Sequence, residues 1–309
     1  MVSKRTSYIL MVLLVFIWGM EYIVAKHAME VLDVFTMLFY KCFIGLLVLL
    51  AIKLFRDRRF PWDKKDLLRL VLSAVFGEVL YFACEYQALD YLPVAMITIV
   101  LAFVPAVSVL IERAVYKKPL TGKTLLGVAF CVLGVVLVIG PDFQSMGGGR
   151  LFGYVLVVGA VFCWNAYNFL TAGLGDKYDV VSLSCYQLAI SAAFLVPLAG
   201  SGIWDTSVMT PLVVVELFYM GVVNTAGGFL IYVSSIRNLG ATPCALYSNF
   251  LPITSTFFGW VILKESITLL QALGGAVVIA SACAVILERE KINKALSGEG
   301  LPSSGNSDV

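Results

Sequence analysis

Residues 237–268 read RNLGATPCALYSNFLPITSTFFGWVILKESIT. Within them, Ala241 to Leu263 is an apolar run of about 22 residues, long enough to cross a bilayer as one helix. Tyr247, Asn249 and Pro252 stand near its middle. Lipid favours none of them: a proline frees a backbone carbonyl, and an amide at that depth needs a partner or a wet cavity. The stretch therefore predicts either the wall of a binding cavity or a proline kink that only packs.

The rest of the chain has the same character. Apolar residues make up 60% and charged residues 14% of the sequence, with a mean hydropathy of +0.93. A soluble domain has roughly 45–50% and 25%, so the chain reads as an all-α integral membrane protein. Ten apolar segments can be drawn: 8–28, 34–55, 68–89, 94–115, 121–140, 153–173, 181–199, 212–236, 241–263 and 269–287. Lys4-Arg5 and the apolar residues after Tyr8 resemble a signal peptide superficially. The run continues past Glu21 with no cleavage-type site, which makes it the first span. A net charge of +2 gives no footprint for nucleic acid. The seven cysteines all lie in apolar runs without metal-type spacing, so small core residues are expected rather than disulfides or a metal site.

Lys and Arg divide eighteen to three between alternate connections, with Lys41 inside a span. The positive-inside rule then predicts a plasma-membrane protein with both termini cytoplasmic. The two halves also resemble each other. An offset of 146 carries Trp18, Asp33, Thr36 and Tyr40 onto Trp164, Asp179, Ser182 and Tyr186. An offset of 147 carries Phe103, Pro105, Thr121 and Gly127 onto Phe250, Pro252, Thr268 and Gly274. Five spans per half is an odd number, so the halves must be inverted, an architecture of secondary transporters with substrate near the midplane. The expected organisation is a first five-helix repeat over 1–140, an external linker at 141–152, a second repeat over 153–290 and a disordered cytoplasmic tail at 291–309.

These residues resemble the drug/metabolite transporter superfamily, specifically its EamA-type ten-helix carriers. Phe16-Ile17-Trp18-Gly19 is similar to that family's aromatic-x-Trp-Gly opening. Gly240-Ala241 through Tyr247 and Pro252, ending in Leu263-Lys264-Glu265-Ser266-Ile267-Thr268, is similar to its proline helix and Leu-x-Glu-x-x-Thr ending. The resemblance covers about residues 5–290 and implies transport of a small metabolite without naming it. Glu21, Lys41 and Lys118 depart from the family's usual residues.

Depth along the spans places Glu21 and Lys41 at one level in the outer half of the membrane, where an ion pair is expected. That pair would either serve the substrate or only lock two helices. Glu78, Tyr81 and Glu85 share one helical face. Glu78, close to the midplane, is the first candidate for proton coupling and Glu21 the second; Glu85 is expected nearer the outside, within reach of headgroups. Trp18, Tyr22, Tyr40, Tyr81 and Phe103 in the first half, with Trp164, Tyr186 and Tyr247 in the second, are candidate cavity aromatics. Asn165, Asn168, Gln187, Asn224 and Asn249 are the candidate amides. Aromatic faces with a carboxylate suit an organic amine, and amides with Lys41 and a carboxylate suit an amino acid. Pro105 and Pro252 are candidate hinges, and the glycines of the fifth and tenth segments predict close packing.

The expected partners are the lipid bilayer, a small-molecule substrate and protons. No cofactor is indicated. A single histidine, His27, without a clustered nucleophile, base or metal ligand argues against an enzyme. A channel or scramblase remains the alternative, separable by whether uptake saturates.

Overall fold

The computed structural model describes residues 3–144, 148–174 and 177–297. Ten helical units follow one another. The first five are α1 (Lys4–Ala28), α2 (Val34–Arg56), α3 (Lys64–Asp90), α4 (Val94–Tyr116) and α5 (Gly122–Gln144). The second five are α6 (Gly148–Ala172), α7 (Val180–Ala199), α8 (Pro211–Leu239), α9 (Ala241–Ser248 and Leu251–Ile262) and α10 (Leu269–Ser297). Nine of these are long and apolar enough to cross a membrane among the described residues; the tenth span is the interrupted α9. With ten spans both chain ends lie on one face, here termed basal, and the opposite face is distal.

The boundaries correct two expectations. α5 continues to Gln144 and α6 already begins at Gly148, so helix occupies most of the linker drawn at 141–152. The expected tail at 291–309 is helical as far as Ser297, because α10 leaves the membrane carrying i,i+3 and i,i+4 ion pairs. Those pairs are Lys291–Glu288 at 3.8 Å and Lys294–Glu290 at 2.6 Å. Positions 145–147 and 298–309 lie outside the described residues.

The repeat is visible as local structure. Asp33 and Asp179 cap α2 and α7 alike, each accepting a backbone N–H from the first helical turn. α3 widens into a π-helical turn at Val75–Leu80, and α8 does so at Tyr219–Gly227; the repeat offset carries the first segment into the second. α4 breaks after Leu101 and restarts at Val104, and α9 breaks after Ser248 and restarts at Leu251. Pro105 and Pro252 are each the second residue after the break, where a missing N–H leaves no helical bond unmade. The first segment of α9 follows Gly240, whose φ of +92° only glycine adopts readily.

α5 and α10 form the tightest junction. A Cβ at Gly134 would lie 2.8 Å from the Gly274 carbonyl, and one at Gly274 would lie 2.8 Å from the Gly134 carbonyl. The two backbones touch there, as the glycine pattern predicts.

α2 and α7 are strapped together at both ends by the other half's connection. Tyr186 donates to the Pro61 carbonyl at 2.7 Å on the basal side, and its repeat counterpart Tyr40 donates to the Ile203 carbonyl at 2.8 Å on the distal side. The basal strap is also ionic. Lys53, 2% exposed, bonds Asp57 and Asp179, each at 2.8 Å, and Lys177 bonds Asp66 at 2.9 Å. The bond from Lys53 holds the Asp57 carboxyl below the usual carboxylate range, and the bond to Asp66 raises Lys177.

Candidate functional site

The most polar part of the membrane interior lies between α1, α2 and α3. Lys41 Nζ is 2.7 Å from Glu21 Oε1, so the expected ion pair is formed. Tyr86 completes a triangle: its hydroxyl donates to Glu21 Oε1 at 2.5 Å and accepts from Lys41 Nζ at 2.7 Å. The ammonium also lies 3.3 Å from the centroid of the Phe82 ring. Lys41 is 1% exposed and Glu21 6%. Burial of two charges in hydrocarbon is tolerable because each is matched and hydrogen-bonded.

Glu85 sits beside this triangle. Tyr22 and Tyr81 both donate to its Oε1, at 2.5 and 2.7 Å, and among the described residues none donates to Oε2. Glu85 is 2% exposed, so it does not reach the headgroup region as the depth estimate suggested. α3 turns it inward, in the helical segment that follows the π turn. Tyr81 packs at a tilt against Trp164 of α6 at 4.7 Å between centroids, and Trp164 likewise against Tyr167 at 5.1 Å. This aromatic ladder joins the two repeats alongside α3.

Glu78 lies in the π turn of α3, half-buried. It makes no hydrogen bond or ion pair among the described residues, and Lys41 and Glu21 are the charges within its electrostatic reach. The matching π turn of α8 carries Asn224, 4% exposed, with its Oδ1 unpartnered. Asn165 is fully buried; its Nδ2 donates to the Val161 carbonyl and its Oδ1 is also unpartnered. Buried acceptors without donors cost about 1–3 kcal/mol each unless something else supplies the bond.

Other expected site residues are placed elsewhere. Tyr40 and Tyr186 belong to the straps that hold α2 and α7. Gln187 donates to Ser73 at 3.0 Å and Thr171 at 3.2 Å, tying α7 to α3 and α6. It is the repeat counterpart of Lys41, which ties α2 to α1 and α3 in the same way. Asn249 donates to the Ile279 carbonyl and Cys283 Sγ, fastening α9 to α10. Tyr247 packs on Tyr8 at 5.9 Å, and Trp18 on Tyr232 at 5.5 Å, in a separate apolar cluster of α1, α8 and α9. Asn168 is exposed on α6, and Phe103 is half-buried at the break of α4. The proline stretch that opened the reading is therefore a packed kink around Asn249 rather than a polar cavity wall. Its amide nitrogen is spent inside the scaffold.

Tyr86 and Phe82 were not singled out from sequence. Both continue the stripe of Glu78, Tyr81 and Glu85 at i, i+4 and i+8 spacing, and that pattern is the signal that could have found them.

Comparison with known proteins bears on what this interior belongs to. The profile of the EamA-like transporter family matches residues 5–140 and again 151–287, once per repeat. The chain belongs to the EamA-like transporter family. It is similar over its length to an uncharacterized transporter of Archaeoglobus fulgidus, 26% identical across 89% of this chain and 95% of that one. It is also 22% identical to the uncharacterized transporter YetK of Bacillus subtilis, across 94% and 89% of the two chains. A solved crystal structure shares the fold with a TM-score of 0.61 at 18% identity, covering 93% of this chain and 99% of the other. The two inverted five-helix halves are thus the EamA-like architecture; the buried polar cluster lies within the first half, and the Tyr81–Trp164 contact joins it to the second.

Proposed function

We propose that this EamA-like protein is a secondary active transporter that exports or exchanges a small polar or amphipathic metabolite, such as an amino acid or organic amine, across the plasma membrane. The basal face is cytoplasmic in this reading, in line with the eighteen-to-three division of Lys and Arg. The two halves rock about the strapped α2–α7 pair, and the broken helices α4 and α9 supply the compliant points at Pro105 and Pro252.

One observation carries the reading: three carboxyl groups, Glu21, Glu78 and Glu85, share an interior in which Lys41 is the one ammonium among the described residues. Lys41 is taken up by Glu21. Among the described residues Glu78 makes no ion pair and accepts no hydrogen bond, and a carboxylate in hydrocarbon is stable only with a proton or a cationic group against it. Glu78 is therefore the coupling carboxyl. Glu21, with Lys41 and Tyr86 already on it, is the locking residue.

The test is uptake into proteoliposomes of amino acids, nucleobases, choline-like amines and polyamines. Saturable uptake that is accelerated by unlabelled substrate inside the vesicle is the expected outcome. A flux that rises linearly with concentration and shows no exchange would identify a channel instead.

A further inference from the structure

We propose that the Lys26–Glu265 ion pair is a distal gate, and that its repeat counterpart, Lys118 docked on the C-terminal carbonyls of α6, closes the basal side in the opposite state. The inference rests on the alternating-access reading above, and it is drawn from how the two halves differ where their sequences align.

The hairpins that follow α4 and α9 are built alike. Lys117 and Lys264 end their helices at φ of 54° and 57°, the left-handed conformation uncommon outside glycine. Lys118 and Glu265 come next and are repeat counterparts at the 147 offset. Glu265 is engaged. Its Oε1 accepts from Lys26 Nζ of α1 at 2.7 Å, and its Oε2 accepts from the Val94 N–H at 2.8 Å. Deeper along the same junction, Thr254 of α9 donates to the Val15 carbonyl of α1 at 2.9 Å, over Gly19. The α1–α9 junction is closed at its distal end and bonded below it.

The basal counterpart is not. The positions matching Lys26 and His27 are Ala172 and Gly173, at the end of α6. Lys118 faces away from them, 3.5 Å from Glu112 and 3.3 Å from the Asn293 Oδ1 of α10. Val161, matching Val15, has its carbonyl bonded by Asn165 of its own helix and not by α4. Among the described residues, no hydrogen bond links α4 to α6 at the basal end.

The charge at 118 fits the missing contact. At the distal end an acidic residue meets the Lys26 ammonium. At the basal end there is no lysine on α6; its last carbonyls carry the negative end of the helix dipole, Arg69 of α3 already donates to that of Gly173 at 3.4 Å, and Lys118 would join it there as a second cation. The sign differs between Glu265 and Lys118 because one docks on a cation and the other on a backbone. Opening the distal side would release Lys26, and the symmetric motion would bring Lys118 from Glu112 onto α6.

Hydrogen–deuterium exchange of the full-length protein in lipid nanodiscs tests this without any substrate. Lys26→Met and Glu265→Gln should each raise exchange at 22–32 and 260–268 roughly two- to five-fold, the range for a partly exposed ion pair. Both should lower exchange at 112–122 and 166–174, and adding Lys118→Ala should abolish that basal protection. Faster exchange confined to the distal peptides, with the basal peptides unchanged, would make the pair a static staple and overturn the proposal. Since the readout needs no transported molecule, that failure would leave the carrier reading to its own uptake test.

Discussion

Replacing Glu21 with Gln would strand an ammonium inside the bundle. Lys41 is 1% exposed, and among the described residues Glu21 is the one carboxylate that bonds it. The Tyr86 hydroxyl and the Phe82 ring remain, but neither carries a neutralising charge. Breaking a buried pair by removing one partner costs about 3–5 kcal/mol. Replacing both partners by apolar residues of similar size is close to neutral, because the desolvation penalties of both ions are recovered together. Glu21→Gln should therefore lower the melting temperature on the order of 10 °C, and Glu21→Leu with Lys41→Met should restore most of it. The assay is thermal unfolding in one detergent or lipid, followed by tryptophan fluorescence, for the wild type, both single variants and the double variant. Single variants within about 2 °C of the wild type would mean that water or lipid headgroups already reach Lys41, and the locking role would fail.

Further outcomes follow from other elements. Gly134→Ala places a methyl group 2.7 Å from Val278 Cγ2 and 2.8 Å from the Gly274 carbonyl, so it should cost about 1–3 kcal/mol in a thermal melt. Pro252→Ala should slow turnover in proteoliposomes far more than it lowers stability; unaltered transport would remove the hinge role. Asp57 titrates below its usual value because Lys53 bonds it, so it stabilises the fold above pH of about 4 and that contribution is lost as pH falls through its depressed pKa. Exchange in the 57–66 connection should rise on acidification in the wild type, and the acid-dependent component should shrink in Asp57→Asn.

The spans were legible because bilayer thickness sets their length and the apolar runs carry few charges, so ten segments could be placed, the tenth alone falling well short of its helix. The inversion followed from parity alone. The Glu21–Lys41 pair was legible from depth, since two opposite charges at one level in lipid have few alternatives to each other. Glu85 was misplaced because depth along a helix does not tell which way a side chain faces, and the π turn beneath it alters the facing of everything above. Asn249, Gln187, Tyr40 and Tyr186 were assigned to a cavity on polarity. The hydrogen bonds of Asn249 and Gln187 fasten helix to helix and those of Tyr40 and Tyr186 fasten helix to connection, and only the packing of the neighbouring elements decides between those uses. The tail was drawn too long because α10 continues as a helix to Ser297 on i,i+3 and i,i+4 ion pairs in place of apolar packing.

Uptake into proteoliposomes at two pH values, comparing the wild type with Glu78→Gln, tests the central claim most directly. Saturable uptake that depends on pH in the wild type and loses that dependence in the variant is the predicted result. Identical pH dependence in both proteins would contradict it, and Glu78 would no longer be the coupling carboxyl.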